Sequence, residues 1–277
     1  MRKSLNLHLL AKLISYRAQP IRWALLFLLS AGLTIGYNAK RVRAESPSNA
    51  PASLVTTLEQ IDAAANNQDA KAVLQFYSDR FSSADGLNRR DLSKAMSKFW
   101  QQFQSVKYRT ELNSWESKGS SIIAETTTYI TATQRLDDRR LNLEATLKSR
   151  QRYEGNKIIE QEILSEQSKL SSGDAPPTLQ VNMPETIRFG EKFSFDVIVE
   201  EPLGDDLLLG ASLEEPVDLD NYLGDSVVEF EPLNSGGIFK NGRAPFVEGN
   251  HWLSAVILRG DGLSAITQRL RVLKQKR

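Results

Sequence analysis

The sequence predicts an α+β fold in which helices precede a curved antiparallel sheet, followed by a second, all-β sandwich. Three observations carry that expectation. Apolar residues recur at helical spacing between residues 54 and 103, alternate with period two between 106 and 164, and show only strand-like patterns after a polar, proline-ended joint at 171–177.

The elements follow in order. Ser53 suits a helix N-cap, and Leu54, Leu58, Ile61 and Ala65 fall on one helical face before Asn66 and Asn67 stop it. Asp69 caps a second short helix carrying Val73, Phe76 and Tyr77. After a break at 82–86, Asn88 caps a third, with Leu92, Met96, Phe99, Trp100 and Phe103 on its buried side. From Val106 the period changes: Val106, Tyr108, Thr110 and Leu112 alternate with polar neighbours, residues 122–132 follow, then Leu141, Leu143, Ala145 and Leu147, and finally 157–164. Turns at Lys118-Gly119, Asp137-Asp138 and Glu154-Gly155-Asn156 join these four strands into an antiparallel meander.

The first forty-four residues stand apart. They hold eight Lys or Arg, no acid, and an apolar run over 23–37. This is the layout of an export signal, and Val42-Arg43-Ala44 offers small residues for a peptidase. The apolar run falls short of the roughly 20 residues a spanning helix needs, which favours cleavage after Ala44. Lys40, Arg41 and Arg43 pull the other way, because positive charge beyond the apolar core favours an uncleaved anchor. Either way the rest of the chain is expected in the periplasm or on the extracytoplasmic face of the membrane. There is no cysteine, so disulfides, thiol chemistry and cysteine-based metal sites are excluded.

Charge and composition divide the remainder. The chain carries 35 basic and 34 acidic residues; without the eight bases of 1–44 the rest is acidic by seven. Such a balance argues against a nucleic-acid partner, which needs a clustered basic surface. The domain reading is 1–44 signal or anchor, 45–52 tether, 53–170 first domain, 171–177 linker and 178–277 second domain. Lys274, Lys276 and Arg277 make a small basic tail, read as a solvated end.

The helix at 58–65, the Asn66-Asn67-Gln68-Asp69 break, the run from Ala72 to Phe81, and the aromatic third helix with its following strands resemble the nuclear-transport-factor-2-like or SnoaL-like family over about 53–168. The resemblance implies a cone-like arrangement enclosing a pocket, which some members use for isomerase, dehydratase or cyclase chemistry and others only for binding. Catalytic members usually place a His, Asp or Tyr inside. Here the histidines are His8 and His251, neither in this domain. Tyr77, Trp100, Tyr108, Thr126 and Thr128 fall on the faces expected to point inward and are the candidate pocket lining. Packing in the core is the plainer role for them. Arg139, Arg140, Arg150 and Arg152 form a basic cluster read as a solvated strand face.

In the second domain, Phe193, Phe195, Val197 and Val199 alternate with Ser194, Asp196 and Ile198, and Gly260-Asp261-Gly262 closes the last two strands into a hairpin. Six or seven short strands in about a hundred residues resemble an immunoglobulin-like β-sandwich without its cysteine pair. Residues 200–231 hold eleven acids and no Lys or Arg. Asp218, Asp220 and Asp225 have the ligand type for Ca²⁺ but not the loop spacing, so solvated loops are expected there. Ile238 and Phe239, after two glycines, form a candidate contact patch with His251 and Trp252.

No catalytic constellation, metal-ligand spacing or cofactor fingerprint names a reaction. The expected function is therefore an exported, non-enzymatic module that binds a protein or small-molecule ligand and meets the membrane only through its N-terminal segment. Two alternatives stand beside it: a SnoaL-like enzyme using a tyrosine with Glu160 or Glu162 as base, and an assembly protein that forms a homodimer through its sheet face. If the signal is cut after Ala44, intact-mass measurement of the envelope fraction will find a chain beginning at Glu45. Recovery of only the full-length chain in membranes would establish an anchor instead.

Overall fold

The computed structural model describes residues 46–275 except 137, 138, 203, 205, 225–227, 234 and 261. The segment read as an export signal, the turn expected at Asp137-Asp138, and Asp225 lie outside the described residues. After a 3₁₀ turn at Pro47–Asn49 come α1 (Ala52–Asn66), α2 (Ala70–Leu74), β1 (Tyr77–Ser83), α3 (Arg89–Gln102), β2 (Ser105–Lys118), β3 (Ser121–Leu136), β4 (Arg139–Glu154) and β5 (Lys157–Ser172). The remainder contains β6 (Leu179–Asn182), β7 (Thr186–Arg188), β8 (Lys192–Val199), β9 (Leu208–Pro216), α4 (Leu219–Leu223), β10 (Glu231–Pro232), β11 (Gly237–Arg243), β12 (Gly249–Arg259) and β13 (Gly262–Leu273).

Local chemistry sets the helix boundaries. Gln68 takes a left-handed φ of 54° after α1, and the Asp69 carboxylate accepts the Ala72 N–H at 2.9 Å to start α2. The Asn88 side chain accepts the N–H groups of Arg90 and Asp91 at 2.8 and 3.1 Å to start α3. Two expectations shift. Helix α1 begins at Ala52 behind Pro51, with no side-chain cap from Ser53. Residues 77–83, read as helix and break, form strand β1, parallel to β5.

The α+β expectation, helices before a curved cone-like sheet with a separate immunoglobulin-like sandwich, is overturned. Strand makes up 57% and helix 19%, and the described helices are four short ones, so sheet dominates both halves. One open ten-stranded sheet runs in the order β10-β9-β12-β13-β5-β4-β3-β2, with β1 on β5 and β7 on β13. The remaining strands, β11-β8-β6, form a small second sheet. The reason lies at the expected joint. Leu170 and Ser172 are buried, so β5 runs on to Ser172, and its last residues pair with β13 from Leu263↔Ser172 to Gln268↔Gln167. The segment beyond is pinned as well: the Ser264 hydroxyl donates to the Pro177 carbonyl at 2.6 Å. A β-carbon at Gly262 would come within 2.3 Å of the Ala175 carbonyl oxygen.

Two apolar clusters result. The larger joins α1–α3 to β2–β5 and continues across the ten-stranded sheet to Trp252, Val256, Leu263 and Ala265. The smaller lies between β12, β13 and the three-stranded sheet, with Val197, Ala255 and Ile257 fully buried.

A buried ionic network crosses the first cluster. Arg269 of β13 donates bidentately to Asp85, in the turn after β1, at 2.9 and 3.0 Å. Its Nε donates to Glu166 of β5 at 2.9 Å. The Tyr222 hydroxyl and the Asn250 amide donate to the Asp85 carboxylate at 2.8 and 3.1 Å, and the Trp252 indole donates to Glu166 at 3.1 Å. The Arg269 and Asp85 side chains are fully buried and that of Glu166 is 3% exposed, so two carboxylates meet one cation away from water. Burial alone would pull the guanidinium down; Asp85 and Glu166 outweigh it and hold Arg269 above its ordinary value.

Removing the cation strands two buried carboxylates, so Arg269→Met is expected to cost about 3–5 kcal/mol in urea unfolding. The parent should melt in one transition by near- and far-UV circular dichroism alike. Two separable transitions, or a loss below about 1 kcal/mol, as for a surface pair, would show that the halves fold apart.

Candidate functional site

The candidate pocket residues converge only in part. Tyr77, Trp100, Tyr108 and Thr128 line one cavity between α1, α3 and the sheet, together with Asp62, Thr110 and Gln151. Thr126 is not in its wall: it is fully buried, and its hydroxyl is 2.9 Å from that of Ser149. The cavity measures about 30 Å³.

Its polar groups are mostly engaged within the fold. Asp62 accepts the Thr110 N–H and hydroxyl at 2.6 and 2.7 Å. Since the Thr110 hydroxyl proton goes to Asp62, the Thr128 hydroxyl, 3.0 Å away, acts as donor to Thr110. Trp100 donates its indole N–H to the Tyr108 hydroxyl at 3.0 Å. One turn along α1, Asn66 accepts the Tyr108 N–H at 2.7 Å and donates to the Tyr108 carbonyl at 3.0 Å. Asp62 and Asn66 thus satisfy the backbone of β2, which among the described residues has no second strand neighbour. Tyr77 differs: its hydroxyl is buried without a hydrogen-bond partner, as are both amide atoms of Gln161 on β5.

Burial shifts the acidic groups here toward protonation. Burial raises the Asp62 carboxyl, with the Thr110 hydrogen bonds and the Arg109 charge opposing it. Burial also pushes the Tyr77 and Tyr108 hydroxyls well above the usual phenol range. Glu160 and Glu162, the carboxylates considered as bases, lie elsewhere. They pair with Arg152 and with Arg150 and Arg271 in the charged surface of the sheet, where Arg150 also reaches Glu125. Sequence reasoning missed Asp62, although an acid between Leu58 and Ala65 in a helical apolar stripe was a visible signal.

The candidate contact patch does not assemble. Ile238 is buried in the smaller core cluster and Trp252 in the larger, where its indole serves Glu166. His251 is half-buried, with Nδ1 3.1 Å from a Glu214 oxygen. Phe239 alone stays open, at 51% exposure. In the acidic stretch, Asp218 caps α4 by accepting the Asn221 N–H at 2.9 Å. Among the described residues no three His, Asp or Glu gather as metal ligands.

Comparison with known proteins adds little chemistry. A family model described as a domain of unknown function, DUF8623, matches residues 174–273. The chain is similar over 40% of its length to a solved structure of Bd1075 from Bdellovibrio bacteriovorus, at 18% identity and a TM-score of 0.29. It spans 39% of that chain. No curated protein matches.

Asp62 yields a signed expectation. Because its folded value is raised, its contribution to stability is full below the unfolded carboxylate value and is lost as pH rises through the folded one. Asp62→Asn keeps an acceptor for Thr110 without the buried charge. Its stability relative to the parent should therefore improve as pH rises from about 3 to about 7, read by urea unfolding at each pH. A difference that is flat, or that worsens with pH, would show that the ionised carboxylate is the preferred form.

Proposed function

We propose that the protein is an exported, non-catalytic module that works through its exterior by binding another surface. The cavity volume carries this reading. About 30 Å³ admits roughly two or three waters, since a water needs about 10–15 Å³ of such space, whereas ligand pockets span about 300–1,000 Å³. Binding a substrate there would require parting Trp100 from Tyr108 or Asp62 from Thr110, at the cost of hydrogen bonds that close the edge of the sheet. The protonation preferences agree, because a phenol raised by burial is a poor base and Asp62 already has both oxygens engaged.

Thermal melts with indole, phenol and cyclohexanol test the reading. The parent should show no saturable rise in Tm. Trp100→Ala, which opens space beside Tyr108, should lose about 3–5 kcal/mol and recover part of it with indole. A saturable rise in the parent, following ln(1 + [L]/Kd) and abolished by the cavity-filling Thr128→Ile, would make the cavity the working site.

A further inference from the structure

Resting on the surface-binding reading, we propose that the loop between β11 and β12 is a lipid-docking tip that enters an anionic bilayer surface. Phe246 and Val247 are adjacent there and 75% and 70% exposed. Among the described residues the other exposed large apolar side chains, Phe239, Leu207 and Val55, are less open, at 51%, 46% and 39%.

The fold holds this tip out. The Ala244 N–H donates to the Glu191 carbonyl at 2.9 Å, and the Gly190 N–H donates to the Ala244 carbonyl at 3.1 Å. Arg243 adds a guanidinium hydrogen bond to the Gly190 carbonyl at 2.8 Å. The Phe246 ring rests over Gly190, where φ is +72° and a β-carbon would come within 2.9 Å of Cζ. Glycine is therefore required there both for backbone conformation and for the ring's seat.

Charge identifies the occupant. Lys192 stands opposite Arg243 in the β8–β11 ladder, and Arg188 donates to the Lys274 carbonyl at 3.2 Å, which places four cations at this end. Two carboxylates share the site, Glu191 accepting the Arg188 N–H and Glu248 the Lys274 N–H. Glu214 and Glu215 lie further along, beside His251 and Trp252 on β9. A stable protein interface buries about 1,200–2,000 Å² around an apolar centre. Two side chains closely ringed by charge do not supply one. A bilayer asks for less: a few apolar groups below the headgroups and cations level with the phosphates.

The absence of native cysteine permits a direct test on the full chain. Val247→Cys carries an environment-sensitive fluorophore, and Asn142→Cys, on an exposed position of β4, serves as control. With vesicles of about 30% phosphatidylglycerol, the label at 247 should shift to the blue while that at 142 does not. The response should weaken at least tenfold in 1 M salt, where the Debye length falls to about 3 Å, and in a Lys192→Gln/Arg243→Gln background. No shift at 247, an equal shift at 142, an equal response to pure phosphatidylcholine, or a response only to added protein would each overturn the lipid tip. Those results leave the cavity melts untouched, so failure of the tip and failure of the surface-binding reading are told apart.

Discussion

The Arg269 guanidinium is the constraint on which the two halves of this chain depend. A fully buried cation needs compensation by charge and by geometry, and the elements that provide it are far apart in sequence: the turn at Asp85, β5 at Glu166, α4 at Tyr222 and β12 at Asn250 and Trp252. No one of these can move without stranding a charged group. Replacing such a network with apolar residues often costs nothing or even stabilises, so its consequence here is better sought in specificity. It dictates which surface of β13 faces the helices and thereby fixes the sheet that both halves share.

The same principle closes the far side of that sheet. A fourteen-residue strand at an edge exposes a row of backbone groups, and β2 is such a strand. Helix α1 answers with Asn66, whose amide imitates a neighbouring strand at Tyr108, and with Asp62 at Thr110. Residues that look like the polar lining of a chamber are thus occupied in holding a helix against a sheet. The cavity is what remains between them, and its small size follows from how fully these groups satisfy one another.

Much of this was legible in the sequence. The four long strands and the Asp69 and Asn88 caps follow from local periodicity and side-chain chemistry, whereas Tyr77, read as helical, reaches the cavity from β1. What could not be read was pairing between distant segments. Ser171 and Ser172 look like a linker because they are small and polar, yet β4 and β13 flank them in hydrogen-bonded ladders. Ile238, Phe239, His251 and Trp252 look like one patch by proximity in sequence, but strand alternation and the second sheet send them to different layers. Like Asp62, Arg269 carried an overlooked warning: a charge at a position where Leu263, Ala265 and Thr267 mark a buried face.

The outer surfaces can be ranked on the same physical terms. On the ten-stranded sheet, Arg150 bridges Glu125 of β3 and Glu162 of β5, and Glu162 reaches on to Arg271 of β13. Arg152 reaches Glu160 of β5 in the same way and pairs with Glu154 on its own strand. These groups keep substantial solvent contact, so each pair adds little to stability. Covering the face with a second copy would require desolvating every one of them with no new partner gained, which argues against self-association there. The tip at Phe246 and Val247 presents the opposite balance: its apolar groups lose nothing on leaving water, and its cations can remain hydrated while they meet anionic headgroups. Association through the tip therefore asks the fold for no rearrangement, whereas association through the sheet face would have to unmake what holds that surface in order.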